Sequence, residues 1–161
     1  FSATQPWSLV VVTEGRVIAA IKFECLIGAL FAESAKRLCN EAIGRAMEFR
    51  VVFRKELFGV CKKPFVGYMV LIEDAPASRA PIRNISPHFP LLSEFRETSY
   101  AERYNIQCQK LMAENLYTAA AVILSPRTAS KSGVYSELSE LTGHKAFLST
   151  LAGHIAAEAA M

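Results

Sequence analysis

Lys22 and Glu24 stand one residue apart near the end of an otherwise apolar run, VIAAIKFECL, residues 17–26. Side chains alternate faces along a strand, so this cation and this carboxylate share a face, about 6.7 Å apart along the chain, while Phe23 points the other way. Such a pair can simply neutralise itself, or it can serve a phosphodiesterase. That chemistry asks for carboxylates that hold a divalent cation, which polarises the phosphate and acidifies a bound water. It also asks for a lysine that stabilises the charge gathering on the phosphate. An economical frame is a hairpin with an aspartate at the start of its first strand and Glu-x-Lys at the end of its second, x facing the core. Here Ser8 opens the first strand and Lys22-Phe23-Glu24 closes the second, so the frame is present with different chemistry at each corner. Other acids offer little. Glu14 lies in the hairpin turn at the wrong end of the strands, Glu41 on the following helix could reach the site, and Asp74 is the only aspartate in the chain.

The elements that must position these residues follow from periodicity. Ser8–Thr13 (SLVVVT) and the run VIAAIKFE flank Glu14-Gly15-Arg16, which predicts a β-hairpin. From about Leu30 to Leu57 the apolar residues Phe31, Ala35, Leu38, Ala42, Ala46 and Phe49 recur every three or four positions. That spacing predicts one long amphipathic helix, with Lys36, Arg37, Arg45, Arg50 and Lys55 on its other faces and Gly59 as its stop. Residues 65–72 read as a buried strand. Residues 74–98 hold Pro76, Pro81, Pro87 and Pro90, which predicts a long ordered loop without helix or central strand. Ser99–Glu102 (SYAE) has capping-box spacing and opens a helix to about Asn115. Residues 117–124 form another buried strand, residues 125–137 a polar loop, and residues 143–161 an alanine-rich helix. The order predicts an α/β or α+β domain, a mixed sheet with helices on both faces.

Bulk properties bound the function. A chain of 161 residues, 52% of them hydrophobic, is expected to form a single domain over residues 1–161 with a well-filled core. No apolar run approaches the roughly 20 residues of a membrane span, and no signal peptide is evident. The chain opens on Phe1, which predicts a fragment of a longer reading frame lacking an N-terminal part. Cys25, Cys39, Cys61 and Cys108 form no CxxC pair, which argues against zinc. Three of the four lie in apolar or helical patterns, as buried free thiols of a reducing compartment would, so cytoplasm is expected. Residues 1–63 carry ten Lys and Arg against six Glu, whereas residues 64–161 carry eight against nine acids. A basic first half permits a polyanionic partner. Neither GxxxxGK[ST] nor GxGxxG occurs, so no nucleotide cofactor is expected, and His144 and His154 lack HExxH spacing.

The hairpin frame is the PD-(D/E)XK nuclease pattern of many restriction enzymes. GYMVLIEDAPASRAPIR, PHFPLLSEF, SYAERYNIQCQKL, LYTAAAVILSPR and YSELSELTGHKAFLSTLAGHIAAEAA together resemble the XhoI-type family of type II restriction endonucleases. PWSLVVV and AAIKFE sit where that family keeps its catalytic hairpin. The resemblance covers nearly the whole chain and is strongest from about Gly44 onward. It implies a restriction-endonuclease-like α/β core, a mixed sheet with a catalytic-type hairpin flanked by helices. It also implies a homodimer that uses Mg2+ to cut duplex DNA at a palindrome such as CTCGAG. By the same resemblance Ser8 replaces the first catalytic Asp, Lys22 the metal-binding Glu and Glu24 the catalytic Lys. A hydroxyl and an ammonium are poor company for a cation that prefers anionic oxygens, so little cleavage and an intra-strand Lys22–Glu24 ion pair are expected. Candidates for reading base edges are Arg83, His88 and Arg127, each beside prolines, with Arg79, Asn84 and Lys131 behind them. For each, the alternative is a solvated loop side chain. Two functions stay open, a site-specific deoxyribonuclease and a catalytically inactive relative that keeps scaffold, dimer surface and DNA contact.

Overall fold

The computed structural model describes residues 6–28, 31–58, 62–83, 88–90 and 92–160, without the side chains of Ala32 and Ser130. Expectations that fall on Phe1, Leu30, Gly59, Cys61, Asn84 and Pro87 lie outside the described residues.

The hairpin forms as its sequence predicts. Strand β1 (Leu9–Thr13) pairs antiparallel with β2 (Arg16–Leu26), with a bulge between Val11 and Val12. Glu14 and Gly15 both take positive φ, 49° and 75°, the conformation whose twist matches that of the flanking strands. Strands β3 (Phe65–Glu73) and β4 (Ala119–Ser125) continue the sheet in parallel, and β5 (Ser136–Glu137) closes it antiparallel to β4. The spatial order equals the chain order, β1-β2-β3-β4-β5.

Helix α1 (Phe31–Arg54) joins β2 to β3, and α3 (Tyr100–Ala113) follows a long connection to lead into β4. Both crossovers advance in one direction along a parallel sheet, and their common right-handedness puts both helices on one face. There Leu38, Ala42 and Phe49 of α1 and Tyr104 and Leu111 of α3 bury the side chains of alternate strand residues such as Ala20, Val70 and Val122. Helix α4 (His144–Ala159) covers part of the opposite face, where Phe147 packs on Ala19, Ile21, Phe65 and Ala121. It seats in a notch at Gly67, where a Cβ would stand 2.7 Å from the Phe147 ring.

Several expectations change. The proline-rich stretch does contain a helix, α2 (Pro76–Arg79), and a 3₁₀ turn at Ser93–Phe95. Pro76 occupies the first helical position, where its missing N–H costs no hydrogen bond. The polar stretch after β4 holds a 3₁₀ turn, Arg127–Ser130, and the two-residue strand β5. Phe23 is not core. It is 46% exposed, because α4 covers only the half of that sheet face nearest the start of the parallel strands. Cys25 shares the bare half and is exposed, and Cys39 is half-buried. Cys108 is buried, which pushes its thiol up to about 12. Arg45 is not on a solvated face of α1 but buried at 4% exposure.

Candidate active site

The hairpin brings the three expected positions together. Ser8 precedes β1, its backbone N–H donating to the Ile21 carbonyl at 3.0 Å, and its Oγ accepts from the Phe23 N–H at 3.0 Å. The hydroxyl is thus tied to the β2 backbone midway between Lys22 and Glu24. Those two side chains lie on the α1 side of the sheet, Nζ of Lys22 being 3.5 Å from Oε1 of Glu24, with 17% and 16% of each side chain exposed. The expected ion pair is there, and it has a third member. Nη1 of Arg45 stands 3.8 Å from the same Glu24 oxygen.

Arg45 is the residue that sequence reasoning missed. It arrives from α1 because it falls seven residues after Leu38 and three after Ala42, on the stripe that faces the sheet. That spacing was the available signal. Around the cluster the wedge between sheet and α1 is lined by tyrosines. The hydroxyls of Tyr104 and Tyr117 donate to the Ala35 and Ala42 carbonyls of α1, at 3.1 and 2.9 Å. Tyr68 is paired in register with Lys22 across β2 and β3. Its buried hydroxyl has no hydrogen-bond partner among the described residues, and burial raises its pKa steeply.

These residues do not fit a magnesium ion. The cation would need several anionic oxygens, and Glu24, the carboxylate on this face of β2, is already faced by an ammonium and a guanidinium. Ser8 brings no charge, and Glu41 is drawn aside to Arg37 at 2.9 Å. Among the described residues no group of three His, Cys, Asp or Glu is placed to hold a metal ion.

The sequence profile of the restriction endonuclease XhoI family matches residues 1–137. This chain belongs to the XhoI restriction endonuclease family. The type II restriction enzyme BstVI of Geobacillus stearothermophilus is 32% identical over the whole chain, which covers 74% of that enzyme. The type II restriction enzyme XhoI of Xanthomonas vasicola is 29% identical over 78% of the chain and 51% of its own length. The type II restriction enzyme AbrI of Azospirillum brasilense is 37% identical over 55% of the chain and 40% of its own length. No solved structure matches. The five-stranded mixed sheet with helices on both faces is the fold expected for an XhoI family member.

The side chains that the sequence offers for reading base edges divide in two on this fold. Arg127 follows the end of β4 and is 65% exposed, yet its Nε lies 2.8 Å from Oε1 of Glu73, the last residue of β3. The other Glu73 oxygen accepts from the Gly28 N–H at 2.7 Å, beyond the end of β2. This bridge therefore ties together the carboxyl ends of the three parallel strands, the end at which open α/β sheets place their ligands. Lys22 and Glu24 lie within a few residues of that same end. Arg79 joins it too, gripping Asp74 through two hydrogen bonds of 2.8 and 3.0 Å and holding that carboxyl below the usual range. Arg83 and His88 are exposed on the connection between α2 and α3, and Lys131 is exposed after the 3₁₀ turn. Neither Arg83 nor His88 makes an ion pair or side-chain hydrogen bond among the described residues. A second cluster had no sequence signal. His144, first in α4, donates its backbone N–H to Glu137 at 2.8 Å and sets its ring Nδ1 2.5 Å from the same oxygen.

Proposed function

We propose that this member of the XhoI family engages duplex DNA as a homodimer without cutting it. The observation that carries the reading is the Lys22–Glu24–Arg45 cluster, two cations on one carboxylate at the heart of the hairpin. Metal assistance is worth several kcal/mol of transition-state stabilisation, and each 1.36 kcal/mol is about tenfold in rate. A hairpin that repels the metal loses that assistance outright. Partner choice rests on family membership, on the basic first half of the chain and on exposed Arg83, His88 and Arg127. A homodimer is the natural reader of a palindrome, since its own two-fold axis repeats each contact in both half-sites. A DNA partner and unpaired cysteines suit the cytoplasm, and no described helix is long and apolar enough to cross a membrane.

The second reading is a working type II endonuclease cutting a CTCGAG-like palindrome with Mg2+, favoured by the chain's similarity to the type II restriction enzymes BstVI, XhoI and AbrI. Incubation with magnesium and a plasmid carrying CTCGAG separates the two. The plasmid is expected to stay uncut while a gel shift at low salt detects the bound duplex. Efficient site-specific linearisation would overturn the first reading, and a blank shift with both cognate and random duplexes would remove DNA from either.

A further inference from the structure

Helices α1 and α3 do not close against each other along their whole length. Between them opens a cavity of about 670 Å³, within the range of pockets that enclose a small organic molecule. Its walls are apolar: Cys39 and Ile43 of α1, Leu111 of α3, Leu116 beyond it, and Ile82 and Phe95 from the connection ahead of α3. Such walls hydrate poorly and favour hydrocarbon over water.

The charges around this cavity are unevenly placed. Lys36 and Arg103 line it at one end, flanking the point where the Tyr104 hydroxyl donates to the Ala35 carbonyl at 3.1 Å. Lys36 is exposed and makes no ion pair or side-chain hydrogen bond among the described residues. Arg103 donates through Nε to the Thr98 hydroxyl at 3.1 Å and through Nη2 to the Ile82 and Phe95 carbonyls, each at 3.3 Å. All three partners are neutral, and its Nη1 has none among the described residues. Lys110, further along α3, is paired with Glu94. The acid among the described lining residues is Glu114, so far beyond Arg103 on α3 that about 16 Å of helix axis separates them. One end of an apolar cavity thus presents two cations without a carboxylate among the described residues. The complementary ligand has an anionic head and an apolar body.

We propose that this cavity binds an amphipathic organic acid, its carboxylate facing Lys36 and Arg103 and its hydrocarbon body lying along Ile43, Leu111 and Leu116. The site shares no lining residue with the Lys22–Glu24–Arg45 cluster and does not depend on the DNA reading.

Decanoate is the probe, with acetate and decylammonium as its headgroup-only and opposite-charge counterparts at equal ionic strength. Titration calorimetry at neutral pH, where the acid is ionised, is expected to show saturable binding of decanoate to the native chain and none of the other two. Lys36→Gln is expected to bind decanoate about threefold more weakly. Ile43→Glu puts a charge into the apolar stretch at a position already 42% exposed, and is expected to abolish binding. Both substitutions fall at exposed positions, and circular dichroism checks that each variant is folded. Iodoacetamide labelling read by peptide mass spectrometry locates the ligand. Cys39 lines the cavity, whereas Cys25 is exposed on the opposite face of the sheet. Decanoate is expected to slow labelling of Cys39 and to leave that of Cys25 unchanged. Absence of saturable binding, equal binding of decylammonium, undiminished binding by Lys36→Gln, or equal protection of both thiols would each overturn the site. So would a dimer in sedimentation that Ile43→Glu dissociates, because a second copy would then be what covers the cavity.

Discussion

Glu24 faces both Lys22 and Arg45, at 3.5 and 3.8 Å, so a buried residue on a neighbouring helix adds its charge to what the hairpin presents. With the Arg45 side chain 4% exposed and that of Glu24 16% exposed, removing the guanidinium leaves a half-buried carboxylate with Lys22 alone and a void under α1. Breaking a buried pair from one side costs about 3–5 kcal/mol, so Arg45→Ala is expected to lower the unfolding free energy by about 3 kcal/mol in urea titration. A loss below about 0.5 kcal/mol, typical of a surface site, would show that Arg45 does not brace the hairpin. The Lys22–Glu24 partnership was legible in the sequence because a strand period of two admits no other arrangement. Arg45 was not, because a charged residue on an amphipathic helix is read as solvated by default. Its place in the Leu38–Ala42–Phe49 stripe contradicted that default.

Helix α3 shows what local sequence specifies well. The Ser99 side chain accepts from the Glu102 N–H, and the Glu102 carboxylate accepts in return from the Ser99 N–H at 2.7 Å, the reciprocal cap that SYAE predicts. Ser99 is buried at 2% exposure, so no water can replace it. Ser99→Ala is expected to cost about 1 kcal/mol in the same urea titration. The cap also sets a pH dependence. The backbone and side-chain hydrogen bonds from Ser99 hold the Glu102 carboxyl below its usual range, as those from His144 do for Glu137 at the start of α4. A carboxyl whose pKa is lower folded than unfolded adds stability above the unfolded value, near 4.3 for Glu. That contribution is lost as pH falls through the lowered folded value. Stability is therefore expected to decline on the acid side, and Glu102→Gln to flatten the decline in unfolding titrations stepped downward from neutral pH. Elements without such self-contained signals escaped the sequence. Strand β5 is two residues long and exists through its pairing with Ile123 and Leu124. Helix α2 hides in a proline-rich stretch because Pro76 stands at the single turn of a helix that tolerates it.

The whole molecule divides into a scaffold of the family's α/β type and a hairpin that carries Lys22 and Glu24 beside Arg45. The scaffold was readable because long apolar periods dictate which faces meet. The site was readable only to the extent that strand alternation fixed Lys22 and Glu24, since the third member comes from α1, more than twenty residues away in sequence. This assembly governs any attempt to rebuild a metal site. Ser8→Asp with Lys22→Glu and Glu24→Lys would restore the order of charges that the family resemblance implies. The lysine introduced at position 24 would then stand in the place of the carboxylate that Arg45 now faces at 3.8 Å. Two cations at that range repel each other, α1 holds Arg45 where it cannot withdraw into water, and the carboxylates introduced at positions 8 and 22 offset the repulsion only by pairing with these cations instead of with a metal ion. The triple variant is therefore expected to be less stable than the native chain and to give no magnesium heat in titration calorimetry. Adding Arg45→Gln removes the repulsion and keeps a polar side chain of similar reach, and this quadruple variant is expected to recover stability and bind magnesium. Magnesium binding by the triple variant, with Arg45 intact and stability unchanged, would show that the guanidinium does not control the site.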